Sequence, residues 1–168
     1  MAPDTIERSS LALEDDSLLR QQCYVDGQWL GADDGGSMPV VDPATGELVG
    51  TAPVFHAAET RRAIDAANRA LPAWRAKTAK ERSAILRKWN DLLLANADDL
   101  ARILTAEQGK PLVEAKGEIA IGAAYVEWFA EEAKRVYGDV IPTMANDRRL
   151  VVVKEPVGVC AGSTPWNF

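Results

Sequence analysis

Histidine and cysteine are scarce in this chain: one His and two Cys among 168 residues. With no zinc cluster or Ser-His-Asp set around it, His56 reads as a loop or helix-start residue. Cys23 and Cys160 stand too far apart in sequence for a metal framework or a redox pair. Both are expected to be buried and to act as small hydrophobes, and a reducing cytoplasm is the expected compartment. Cations are also short, with 19 Lys and Arg against 25 Asp and Glu, for a net charge of −6. That balance argues against nucleic acid or an anionic membrane as the main partner. An anionic cofactor stays compatible with it, because a local site can oppose the overall charge. No apolar run is long enough to cross a bilayer. The first twenty residues lack both an apolar secretory core and the Arg-rich, acid-poor pattern of an organelle presequence. Residues 1–20 therefore read as a flexible leader, with a helical turn near Ser17–Gln22. There is no Gly-x-Gly-x-x-Gly, no Walker A loop and no internal repeat.

What is present fits a globular protein with a core: 47% of residues are hydrophobic and 26% charged, at a length sufficient for one domain. Asp26-Gly27 between Cys23-Tyr24-Val25 and Gln28-Trp29-Leu30 is a hairpin signal, since a type I′ turn needs positive φ at both central positions. Val40-Val41, the turn Asp42–Gly46 and Glu47–Thr51 suggest a second antiparallel pair. Helical spacing follows. Ala63, Ile64, Ala67, Ala70, Leu71 and Trp74 mark a buried face over 57–74, which Pro72 is expected to end or kink. Thr78 and Glu81 form a capping-box pattern ahead of Ala84-Ile85-Leu86-Trp89-Leu92-Leu93. Asn96 is expected to cap a third helix that stops at Gly109. Pro111 suits the first turn of a fourth helix, with Ile119, Val126, Phe129 and Val136 on its apolar face and Gly138 at its end.

Leu150–Val153 is β-branched and should form a strand. Pro156 interrupts it, and Val157–Ala161 reads as a second, buried strand. Thr164-Pro165-Trp166-Asn167-Phe168 follows at its carboxyl end, where ligands bind in open α/β sheets. On the residues alone, Trp166 could be a core aromatic and Asn167 a buried turn residue after Pro165.

The closing Pro-Trp-Asn-Phe resembles the aldehyde dehydrogenase signature. The resemblance runs from about Cys23 to Phe168. It is carried further by 70–75 (ALPAWR), 105–112 (TAEQGKPL), 114–119 (EAKGEI) and 127–134 (EWFAEEAK), which are most similar to the succinate-semialdehyde branch of that family. It implies an α/β fold, here as the N-terminal part of the family fold: a small antiparallel β unit, a helical run, an oligomerisation-arm strand and the first strand of a Rossmann-like sheet. The implied segments are 21–144 for the N-terminal part of the NAD(P)-binding domain, 145–156 for the arm strand and 157–168 for the start of the nucleotide-binding sheet.

The implied reaction oxidises a small-molecule aldehyde, with succinate semialdehyde in γ-aminobutyrate catabolism as the leading case. A Cys thiolate attacks the aldehyde, hydride passes to NADP or NAD, and a Glu-activated water releases the acid. Asn167 would donate its side-chain amide to the oxyanion. Thr164, Pro165, Trp166 and Asn167 would touch the cofactor, although Thr-Pro also simply makes a turn. Metal is not implied; a homodimer or homotetramer is. The nucleophile and base have no match here, and Cys160 precedes the motif and is not that nucleophile. The chain is thus expected to be an inactive N-terminal piece of a longer enzyme. The alternative is a free-standing, non-catalytic binding or assembly domain.

Overall fold

The computed structural model describes residues 11–167; the first half of the expected leader and Phe168 lie outside the described residues. A short 3-10 turn (Asp16–Leu18) precedes β1 (Cys23–Val25) and β2 (Gln28–Leu30), which pair antiparallel. Asp26 and Gly27 take φ values of 52° and 80°, as the type I′ turn demands. The register sets Tyr24 opposite Trp29, their ring centroids 5.2 Å apart edge to face.

β3 (Ser37–Val41) and β4 (Leu48–Pro53) form the second antiparallel pair, with a bulge at Val40/Val41. The turn between them is tied by Asp42, whose Oδ1 accepts from the N–H of Ala44 at 2.7 Å. His56 sits at the N-cap of α1 (Ala57–Ala76), where Glu59 reaches back to the His56 N–H at 3.1 Å. Pro72 neither ends α1 nor limits it to one more turn's start: the helix continues to Ala76. Without an N–H, Pro72 cannot make the helical bond to the Asn68 carbonyl.

The Thr78–Glu81 capping box opens α2 (Ala79–Ala95), with Glu81 Oε2 accepting from the Thr78 N–H at 2.7 Å. Asn96 lies at the N-cap of α3 (Ala97–Gln108), but its side chain does not cap it. Its Nδ2 donates instead to the Leu92 carbonyl at 2.8 Å and closes α2. Gly109 ends α3 in the left-handed region at φ 86°.

α4 (Leu112–Glu132) starts after Pro111 and stops six residues short of the expected Gly138. Tight turn bonds at Lys134, Arg135 and Tyr137 unwind the chain there. Gly138 serves a different purpose. A Cβ at that position would run into the Val152 carbonyl, so glycine permits the close approach that pairs β5 (Asp139–Ile141) with β6 (Leu150–Val152). β5 carried no separate signal in the sequence.

The core lies where α4 packs on α2 and α3. Ala101, Leu104 and Ala115 are fully or nearly fully buried there, with Ile119 against them. Ala123 and Ala130 are buried further along α4; small side chains let the helix axes approach. Several residues expected on buried faces are open instead. Ile64, Trp74, Ile85, Trp89, Leu92, Phe129 and Val136 are 38–60% exposed, because no described element packs over them. Cys23 is half-buried, and Cys160 is exposed rather than buried. The expected strand over 157–161 is absent: residues 153–167 carry no helix or strand. An extended segment becomes a strand only by bonding to a neighbour, and none of the described strands lies beside it. Val157 is accordingly 92% exposed.

Candidate active site

The corner between α3 and α4 organises the region around the Trp166-Asn167 motif. Gly109 makes that corner possible. Its positive φ suits glycine, and a Cβ there would lie 2.8 Å from Pro43 Cγ. Lys110 comes next and is buried. Its Nζ pairs with Glu118 Oε2, from the second turn of α4, and the two side chains are only 1% and 8% exposed.

This buried pair meets the last described residue. Lys110 Nζ donates to the Asn167 carbonyl, and Glu118 Oε1 accepts from the Asn167 N–H at 2.6 Å. Burial pushes the Glu118 carboxyl up, but hydrogen bonds from Lys110 and from the Asn167 N–H, together with the Lys110 charge, outweigh it and hold the group below the usual glutamate range. Both contacts engage the main chain of Asn167, so its side-chain amide remains compatible with service to a substrate.

The four motif residues are not equally placed. Asn167 is joined to Lys110 and Glu118 but is exposed, not buried as expected. Thr164, Pro165 and Trp166 are exposed on the segment that leads to it, Trp166 at 51%. Among the described residues, the Thr164–Trp166 backbone and the Trp166 indole are open. They supply no phosphate cradle. A separate groove of about 450 Å³ is lined by Leu71, Trp74, Arg75, Arg82, Lys154 and Glu155 among others. Glu155 pairs there with Arg75 at 3.1 Å, so it is not simply solvated. Among the described residues, no group of three His, Cys, Asp or Glu could hold a metal.

Lys110 and Glu118 escaped the reading of the sequence. The run Glu107–Pro111 was legible as a helix stop and start, and so it was. The available signal was Lys110 beside the αL stop, with Glu118 on the following helix. Nothing in their spacing, however, pointed to Asn167, 57 and 49 residues away.

A Pro-Trp-Asn motif whose asparagine is fixed by its backbone, after four helices and small antiparallel pairs, matches a known class. Residues 29–168 fit the model of the aldehyde dehydrogenase family, and the chain belongs to that family. Among individual proteins, it is 62% identical over 158 residues to glutarate-semialdehyde dehydrogenase of Pseudomonas putida, covering 94% of this chain and 33% of that protein. It is 58% identical over 158 residues to the NADP(+) succinate-semialdehyde dehydrogenase of Escherichia coli, with the same 94% and 33% coverage. The crystal structure of succinate-semialdehyde dehydrogenase from Burkholderia pseudomallei superposes with a TM-score of 0.87 at 62% identity, over 89% of this chain and 31% of that one. The fold is that of the N-terminal portion of aldehyde dehydrogenase structures. The chain spans about a third of the length of these relatives.

Proposed function

We propose that the full-length protein containing this chain oxidises a semialdehyde of a short dicarboxylic acid, succinate semialdehyde first, with NADP or NAD. The observation that carries this reading is the anchored Asn167 in the Pro-Trp-Asn motif. Charge develops on the aldehyde oxygen only as a thiolate adds to it, so an amide already in place stabilises the transition state more than the substrate. In this reading a Cys thiohemiacetal and then a thioester form on a nucleophile outside these 168 residues. Bound NAD(P) supplies the hydride acceptor, and Thr164, Pro165, Trp166 and Asn167 line its nicotinamide end. The isolated chain, without that Cys and its partner Glu, is inactive. The segments 21–144, 145–156 and 157–168 serve as cofactor-binding domain, oligomerisation arm and start of the nucleotide-binding sheet, in a cytoplasmic homodimer or homotetramer.

Steady-state kinetics on the full-length protein test the role of Asn167. Asn167→Ala should lower kcat by roughly 10²–10³, the usual loss for one oxyanion donor, with cofactor dissociation constants little changed. A kcat within about a factor of two of wild type would remove the assignment. A second substrate reading comes from the relative named glutarate-semialdehyde dehydrogenase, at 62% identity. Its substrate is one methylene longer, a difference worth roughly 10–200-fold in an apolar pocket. Comparing kcat/KM for the two semialdehydes separates the readings.

A further inference from the structure

Lys110 and Glu118 are charged and almost wholly enclosed. An enclosed ion pair is weak evidence for stability, because desolvation offsets the attraction between the charges. What the pair holds is more informative. It takes both main-chain groups of one residue, the N–H of Asn167 on Glu118 and its carbonyl on Lys110. Fixing both groups sets the orientation of the peptide planes on either side, and with it the direction in which the side chain leaves the backbone. Residues 153–167 belong to no helix or strand. Glu118 rides on α4, which packs on α2 and α3, so the pair ties the main chain of Asn167 directly to the helical core. An oxyanion donor has to sit within about 0.5 Å of its productive place.

We propose that Lys110 and Glu118 are positioning residues that clamp the main chain of Asn167 and so aim its side-chain amide at the reacting oxygen. The proposal rests on the oxyanion role given to Asn167 above.

The test is a double-mutant cycle on the full-length protein. Lys110→Met combined with Glu118→Leu removes the clamp by replacing both of its charges together, a replacement that buried pairs often tolerate. In the Asn167 background, kcat should fall by roughly 10–10²-fold, the scale of a misplacement near 1 Å. KM for the aldehyde, cofactor affinity and thermal midpoint should stay close to wild type. In the Asn167→Ala background the same pair of changes should cost less than about twofold, since groups acting through one another are not additive. A clamp variant with wild-type kcat, or one that loses the same factor in both backgrounds, overturns the proposal while leaving the Asn167 assignment standing. An Asn167→Ala variant that is itself harmless sinks both. Should the double variant fail to fold, Glu118→Asp serves. It keeps a charge opposite Lys110 but draws the carboxylate back by one methylene. A smaller kcat loss confined to the Asn167 background is expected there, and an unchanged kcat overturns the clamp.

Discussion

At the scale of single residues, the chemistry of this chain depends on where a few polar groups are held. Asn167 illustrates this through charge. Asn167→Asp should be more damaging than Asn167→Ala, because an ionised carboxylate repels the oxyanion and raises the pKa of a nearby thiol. The pH dependence of kcat in the two full-length variants checks it: the acid limb, on which the thiol must lose its proton, should move to higher pH in the aspartate variant. Glu59 makes a parallel case for stability. Its own N–H and that of Asp33, with the N–H of His56, hold its carboxyl below the usual range, against burial and the Asp33 charge. A carboxyl lowered in the folded state stabilises above its unfolded pKa, and the contribution disappears as pH falls through the folded value. The difference in thermal midpoint between wild type and Glu59→Gln should therefore be full near neutrality and shrink in acid. A difference that grew on acidification would contradict the assignment.

Among the elements, the ends of helices were more legible than their faces. Capping and stop signals act over three or four residues, so Thr78–Glu81 and Gly109 appear where the sequence placed them. Asn96 shows the limit of such signals, since the same side chain can close the helix behind it or open the one ahead. The Gly109 stop offers a direct test. Gly109→Ala imposes the left-handed conformation on a residue with a Cβ, at a cost of about 1–2 kcal/mol, and sets that Cβ against Pro43. Chemical denaturation should show a loss of at least that size, with a matching fall in kcat because Lys110 is the next residue. A neutral Gly109→Ala would mean that the α3–α4 corner relaxes freely.

For the whole molecule, the prominent feature is apolar surface. Ile121, Tyr125, Trp128 and Phe129 on α4 are each more than two-fifths exposed, and so are Val140, Val151 and Val153 around the β5–β6 hairpin. A two-stranded pair has two open edges, and open edges recruit further strands. Patches of this kind on a lone chain favour association. The isolated 168-residue chain should self-associate with rising concentration in size-exclusion chromatography with light scattering. A monomer independent of concentration would count against this.

The amino-acid sequence by itself determined the four helices, the first two hairpins and the family, because periodicity, turn chemistry and motif residues are local. The type I′ turn at Asp26-Gly27 and the stop at Gly109 require particular residues at particular backbone angles, and those are written in the chain. The tertiary structure decided what depends on distant partners. It decided that Val157–Ala161 pairs with none of the described strands, that β5 finds β6 because Gly138 lets the chains approach, and that Cys160 is exposed. It also brought Lys110 and Glu118 to Asn167. Burial and long-range hydrogen bonds are properties of which surfaces meet, and no window of sequence contains both sides of such a contact.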